Sequence, residues 1–128
     1  MLRWVTPVKA FARTATCSTV VGEVAVDEGD YLVMLYPAAN RDERAFGPTA
    51  GSFDVRRAPD PAHVAFGFGE HLCLGAALAR IEAKVMFEAL LARYPSIRAT
   101  APPTRLRSTL MNGIVEMPVT IGAPRPST

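Results

Sequence analysis

FGFGEHLCLGAALAR, residues Phe66 to Arg80, sets a single thiol between a glycine-rich turn and an alanine-rich helix. Gly67 and Gly69 can take positive φ, which a tight turn needs and other residues resist. Cys73 falls at or just before the helix N-terminus. Free backbone N–H groups and the helix dipole favour an anion such as a thiolate there. Gly75, at the start of the helix, has no side chain and lets a flat group come close. Phe66 and Phe68 add flat apolar surface. His71, two residues before the thiol, can bind an anion.

Downstream, Leu74, Leu78, Ile81, Val85 and Leu90 or Leu91 recur at helical spacing, which predicts a helix over 74–94. Lys84 and Glu88 form an i,i+4 pair on its exposed face, and Pro95 ends it. "ATAPPT" reads as a linker. "RLRSTLMNGIVEMPVTIG" reads as a hairpin turning at Asn112-Gly113, and 123–128 as a frayed tail. Upstream, "STVVGEVAV" and "DYLVMLY" predict short strands within 11–36, with "DEGD" as a turn and Gly22 as a second turn or bulge. "AANRDERAFG" predicts a helical turn, and 47–61 an irregular, functional loop. Met1-Leu2-Arg3-Trp4 reads as the last turn of a helix stopped by Pro7, so the chain reads as starting inside an element.

The totals exclude several classes. The 128 residues, 49% hydrophobic, suit one modest domain. A net charge of +2 without a run of Lys/Arg argues against nucleic acid. Cys17 and Cys73 lie far apart, which is no disulfide framework and suits a reducing compartment. No apolar run is long enough to span a bilayer. These features together predict a soluble, cytoplasmic chain.

Several chemistries compete for the thiol. A dinucleotide turn needs a third glycine where Leu72 stands. Zinc would have only Cys17, His63, His71 and Cys73, at spacings of no common finger. A nucleophilic or redox cysteine lacks a resolving partner nearby. A thiolate ligand to haem iron needs an anionic sulfur, a glycine for close approach, aromatic packing and a cation for a propionate, and those parts are here. An inert buried cysteine in a helix-start turn remains the plain alternative.

Phe66, Gly69, His71, Cys73 and Gly75 together fit F-x-x-G-x-[RH]-x-C-x-G, and the stretch resembles the cysteine-ligand loop of bacterial cytochromes P-450. The resemblance runs along nearly the whole chain in family order. It implies an α+β chain, the C-terminal part of the mainly helical P-450 fold: the end of the K helix, short β-hairpins, the ligand loop, a long helix and a C-terminal hairpin. It places residues 1–128 as one incomplete haem-binding portion. It also implies haem b, with Cys73 as axial ligand to the iron. A thiolate ligand pushes electron density towards iron and favours O–O cleavage, behaviour for which this family is itself the reference case. His71 and Arg13, the latter in "FART", would bind haem propionates. Phe66 would pack beside the sulfur, with Gly67, Gly69 and Gly75 shaping the loop. Thr6, Pro7 and Val8 would line the substrate pocket, with Leu110 and Met111 on the other wall, or pack as ordinary core. His63 reads as a loop or surface histidine and Cys17 as a passive thiol.

The implied activity is that of a monooxygenase inserting one oxygen atom of O₂ into a small apolar substrate, with electrons from NAD(P)H through a reductase and a ferredoxin. "WVTPVKAFARTA", "MLYPAANRDE" and "LMNGIVEMPV" resemble members acting on sterol side chains or terpenoids. Arg80, Arg56 and Arg57 would offer an acidic donor a basic patch, or simply be solvated. Two departures stand out. The glutamate of the family's E-x-x-R would fall one residue before Met1, with Arg3 as its arginine. Ser52 stands where an arginine usually precedes Phe53-Asp54, leaving Arg56 or Arg57 to substitute. The oxygen-activating helix is not in this sequence. The expectation is a chain that holds the ligand loop with no catalytic residue of its own, or a truncated, non-enzymatic remnant that binds haem weakly or not at all. Apolar faces left exposed would follow.

Overall fold

A computed structural model describes residues 1–58 and 62–124. Positions 59–61 of the expected loop, and 125–128 of the expected tail, lie outside the described residues. The chain forms two units, one from Met1–Ala65 with Ser108–Asn112, the other from Phe66–Arg107 with Gly113 onward.

The first unit opens with α1 (Leu2–Val5), the helical turn expected before Pro7. Its C-cap, Thr6, sits in the left-handed region at φ 41. A β-branched residue pays for that conformation in strain unless its surroundings hold it there. Here the Thr6 hydroxyl donates to the Arg3 carbonyl at 2.6 Å and accepts from Asn40 Nδ2 at 2.9 Å. Strand β1 (Ala10–Thr14) pairs antiparallel with β4 (Tyr31–Leu35), in register from Ala10 with Leu35 to Thr14 with Tyr31. Along β4 the half-covered residues are Leu32 and Met34, the period-two alternation of a strand with one face covered. Between them, β2 (Thr19–Val21) and β3 (Val24–Val26) form a second hairpin. Gly22, at φ 64, turns it, and Gly29, at φ 91, serves the "DEGD" turn.

The expected single helical turn after β4 is two. α2 (Tyr36–Ala39) starts with Pro37, whose fixed φ suits a first turn. α3 (Glu43–Phe46) is capped by the Asp42 carboxylate, which accepts from the Arg44 N–H at 2.9 Å.

In the second unit α4 spans Ala76–Arg93, two residues later than expected at its start. Leu74 and Gly75 form the turn that enters it, Gly75 being the N-cap. Pro95 follows its end, and Lys84 Nζ stands 3.9 Å from Glu88 Oε1 as anticipated. Apolar residues occupy several sides of α4 rather than one stripe, and Leu78, Ile81, Val85, Met86, Phe87 and Leu91 are all exposed.

The C-terminal hairpin needs correcting. β6 (Thr104–Arg105) pairs with β7 (Ile114–Glu116), while β8 (Val119–Ile121) pairs with β5 (Ile97–Ala99). Asn112-Gly113 is not a two-residue turn. The Asn112 N–H is bonded to the Pro7 carbonyl at 2.7 Å and its side-chain amide to the Val5 carbonyl at 2.8 Å. Those bonds hold the tip of a wider loop against residues 5–9.

Candidate functional site

The loop from Phe66 to Gly75, with Cys73 near its end, lies wholly in the second unit. Gly67 and Gly69 adopt φ 76 and φ 64, conformations that favour glycine. Gly69–His71 then makes one 3-10 turn, closed by the Leu72 N–H on the Gly69 carbonyl at 3.1 Å. The Cys73 N–H donates to the Phe66 carbonyl at 2.8 Å, a backbone bond that joins the ends of the loop. The Cys73 carbonyl accepts from the Ala76 N–H at 3.1 Å, which joins the thiol's backbone to the first helical residue.

The surface around the thiol is open. Cys73 and His71 are exposed, and neither cysteine is in a disulfide. A Cβ at Gly69 or Gly75 would meet no atom within 4 Å. Gly75, at φ −84, has no backbone need to be glycine. What its missing side chain provides is empty space. Phe68, Leu72 and Leu74 are exposed beside these positions, Leu74 completely. An anionic sulfur donor, bare glycine backbone and exposed apolar side chains suit a flat, largely apolar, metal-bearing group. The residues therefore fit haem. Among the described residues no cluster of three His, Cys, Asp or Glu is placed to hold a metal ion by itself.

The first unit brings together most of the predicted pocket residues. Val8 and Met111 form an antiparallel bridge, and the Lys9 N–H donates to the Leu110 carbonyl at 2.8 Å. Lys9 Nζ also reaches the Ser108 carbonyl at 2.6 Å. Pro7, Val8, Leu110 and Met111 thus share one backbone-bonded rib. Thr6 does not line a pocket: it is wholly buried, its hydroxyl spent on Arg3 and Asn40. Arg13 is exposed on β1, with Nη1 on the Ala12 carbonyl at 2.8 Å.

Sequence reasoning missed Asn40. It is fully buried and ties three segments. Its amide donates to Thr6, its side-chain oxygen accepts from the Val64 N–H at 2.8 Å, and its carbonyl accepts from Arg3 Nη1. Nothing in "AANRDE" distinguishes that asparagine from a surface turn residue. Arg3 also donates to the Ala50 carbonyl at 3.0 Å and lies over the Phe46 ring at 4.9 Å. Burial, then the positive charges of Arg57 and Arg41, hold the Arg3 guanidinium below its ordinary pKa.

Arg57, rather than Arg56, enters this region. It donates to the Phe46 carbonyl at 2.9 Å and to the Thr49 carbonyl at 2.6 Å, whereas Arg56 is exposed and stands 3.8 Å from Asp54. Arg3 and Arg57 line a cleft of ≈ 330 Å³ with Phe46, Asp54 and His63. His63, a half-buried loop residue, accepts the Ala65 N–H on Nδ1 at 3.2 Å. Cys17 is exposed. No helix among the described residues is long and apolar enough to cross a membrane.

A sequence model of the cytochrome P450 family matches residues 1–121. The steroid C26-monooxygenase of Rhodococcus jostii is 46% identical over 120 residues, which is 93% of this chain and 25% of that protein. Cytochrome P450-terp of a Pseudomonas species is 39% identical over 118 residues, 92% of this chain and 27% of its own length. The crystal structure of CYP109E1 from Bacillus megaterium in complex with testosterone superposes with a TM-score of 0.85 at 34% identity, covering 92% of this chain and 33% of that one. The chain thus spans about a quarter of the curated relatives' length, in their C-terminal portion.

Proposed function

The chain belongs to the cytochrome P450 family, and on that premise we propose that it is the haem-binding portion of a monooxygenase, with Cys73 as the axial thiolate ligand. Members of the family bind haem b through a cysteine thiolate. When bound, haem supplies the one-electron and O₂ chemistry that puts one oxygen atom into a substrate. The observation that carries the proposal is the exposed Cys73 thiol beside two glycines, Gly69 and Gly75, whose missing side chains leave open space.

The chain's own residues divide the work. Cys73 offers the sulfur, and the Cys73 N–H bond to Phe66 fixes its backbone. Gly67 and Gly69 supply the turn, and Gly75 clears the approach. Exposed His71 and exposed Arg13 are each proposed as a propionate partner. Pro7, Val8, Leu110 and Met111 are proposed to meet an apolar substrate. A steroid is the favoured class, because one relative is named a steroid C26-monooxygenase and a structural neighbour was solved with testosterone. Electrons are proposed to come from a reductase and a ferredoxin.

The test is spectroscopic. The full chain is mixed with haem, reduced with dithionite and exposed to CO. A strongly red-shifted Soret band supports thiolate ligation, and its absence in Cys73→Ala with retention in Cys17→Ala assigns the sulfur. A second reading, a non-enzymatic chain that binds haem weakly or not at all, draws on the many apolar side chains that α4 leaves exposed. Absence of any haem uptake supports that one.

A further inference from the structure

Arg80 lies in the second turn of α4 and points back to the ligand loop. Its guanidinium carbon is 4.7 Å from the centroid of the Phe66 ring, and Nη1 donates to the Ala76 carbonyl at 3.3 Å. Phe66 supplies the carbonyl that accepts the Cys73 N–H at 2.8 Å. Ala76 is in turn the residue whose N–H bonds the Cys73 carbonyl at 3.1 Å. Arg80 therefore touches both residues that hold the cysteine's backbone, one on each side.

We propose that Arg80 is a positioning residue for the thiol. Its planar cation rests on the Phe66 ring and keeps the Phe66 carbonyl aligned on the Cys73 N–H. A cation over an aromatic face is attracted by the ring's quadrupole, and at an exposed site the attraction is modest. That is enough to bias the loop at the Phe66–Cys73 backbone bond, and it leaves a fixed positive charge beside the residue that supports the sulfur. The effect on the sulfur as a metal ligand rests on the haem reading above. The effect on the loop does not.

Two measurements on the full 128-residue chain test this. In the first, amide hydrogen exchange at Cys73 is followed without haem. Arg80→Gln, neutral and helix-competent, should speed that exchange about 2- to 5-fold, while Arg80→Lys, which keeps the cation, should stay near the wild-type rate. Equal exchange in wild type and Arg80→Gln overturns the proposal. Equal acceleration in Arg80→Gln and Arg80→Lys, or acceleration throughout α4, overturns it too, because the cation over Phe66 would then not be the cause. The second measurement is the ferric–ferrous potential of the haem-loaded chain. A nearby cation favours the more negative, reduced centre, so Arg80→Gln should lower the potential and Arg80→Lys restore it. A potential that does not move with the charge overturns the electronic half. Cys73→Ser separates the two readings: retention of the thiolate-type CO band there rejects Cys73 as ligand, while the exchange result still decides Arg80.

Discussion

The two units hold their conformation by different means. In the first, buried Thr6 and Asn40 and the half-buried Arg3 lock α1, α2 and the segment before Phe66 together through side-chain bonds. In the second, Ala76 is the one buried residue among those described, and the Phe66–Gly75 loop is shaped by glycines and backbone bonds. A helix apolar on all sides is usually a covered helix, yet α4 exposes its apolar side chains. The first unit encodes its shape in its own polar interior. The second leaves large apolar side chains exposed along α4 and beside Cys73, the kind of surface the proposed haem site calls for.

The largest expected effect breaks the second unit's function without touching its fold. Cys73→Ala removes an exposed, free thiol, so the unfolding free energy from urea titration should stay within about 0.5 kcal/mol of wild type. The red-shifted ferrous–CO band should vanish entirely. If the band survives, the loop is not the ligand loop and the contrast between the units loses its functional meaning.

Asn40→Ala is the corresponding attack on the first unit. It strands the Val64 N–H and leaves the Thr6 hydroxyl with only its bond to the Arg3 carbonyl, loosening the hold on a β-branched residue at φ 41. Leaving buried polar groups unpaired costs about 1–3 kcal/mol. Urea titration should show that loss in full. A variant as stable as wild type would mean that the polar interior is not what holds the first unit.

How much of this was legible in the sequence follows the same division. The backbone of the Phe66–Gly75 loop could be read because its demands are local: glycine at two positive-φ positions and a thiol just before a helix. The helix over Ala76–Arg93 could be read from spacing and from Pro95. Asn40 could not, because its partners lie 34 residues upstream and 24 downstream. For Thr6 the resemblance left pocket lining and core packing open, and only the long-range bond to Asn40 shows it buried in the interior. The Asn112-Gly113 turn failed because Asn112 is engaged 107 residues away by Val5. Local chemistry was visible, and tertiary hydrogen bonds were not.

Gly75→Ser sharpens the comparison within the loop. Serine is a better N-cap than glycine, and nothing within 4 Å opposes the added atoms. Stability should rise by a few tenths of a kcal/mol. Haem affinity, followed by Soret titration, should fall about tenfold, in line with the 1–3 kcal/mol that overpacking typically costs. Equal affinity would show that the open space at Gly75 is not where a flat group rests.

The smallest expected effect concerns the surface of the first unit. Asp42 caps α3 and its carboxylate is held below the usual range, first by the side-chain bond from Arg44, then by the Arg44 backbone N–H. A lowered folded pKa means that the stabilisation is present above the ordinary carboxylate value and lost as pH falls through the folded value. Asp42→Asn keeps an oxygen acceptor for the cap but has no charge to titrate. Wild type should therefore exceed the variant slightly at pH 6, and the gap should close as the pH is lowered below about 4. Because both partners lie at the surface, that gap should be small beside the loss in Asn40→Ala. A gap that stays constant with pH would assign the cap's contribution to the hydrogen bond alone. A gap as large as the Asn40→Ala effect would place the first unit's stability at its surface and undo the contrast with which the two units were separated.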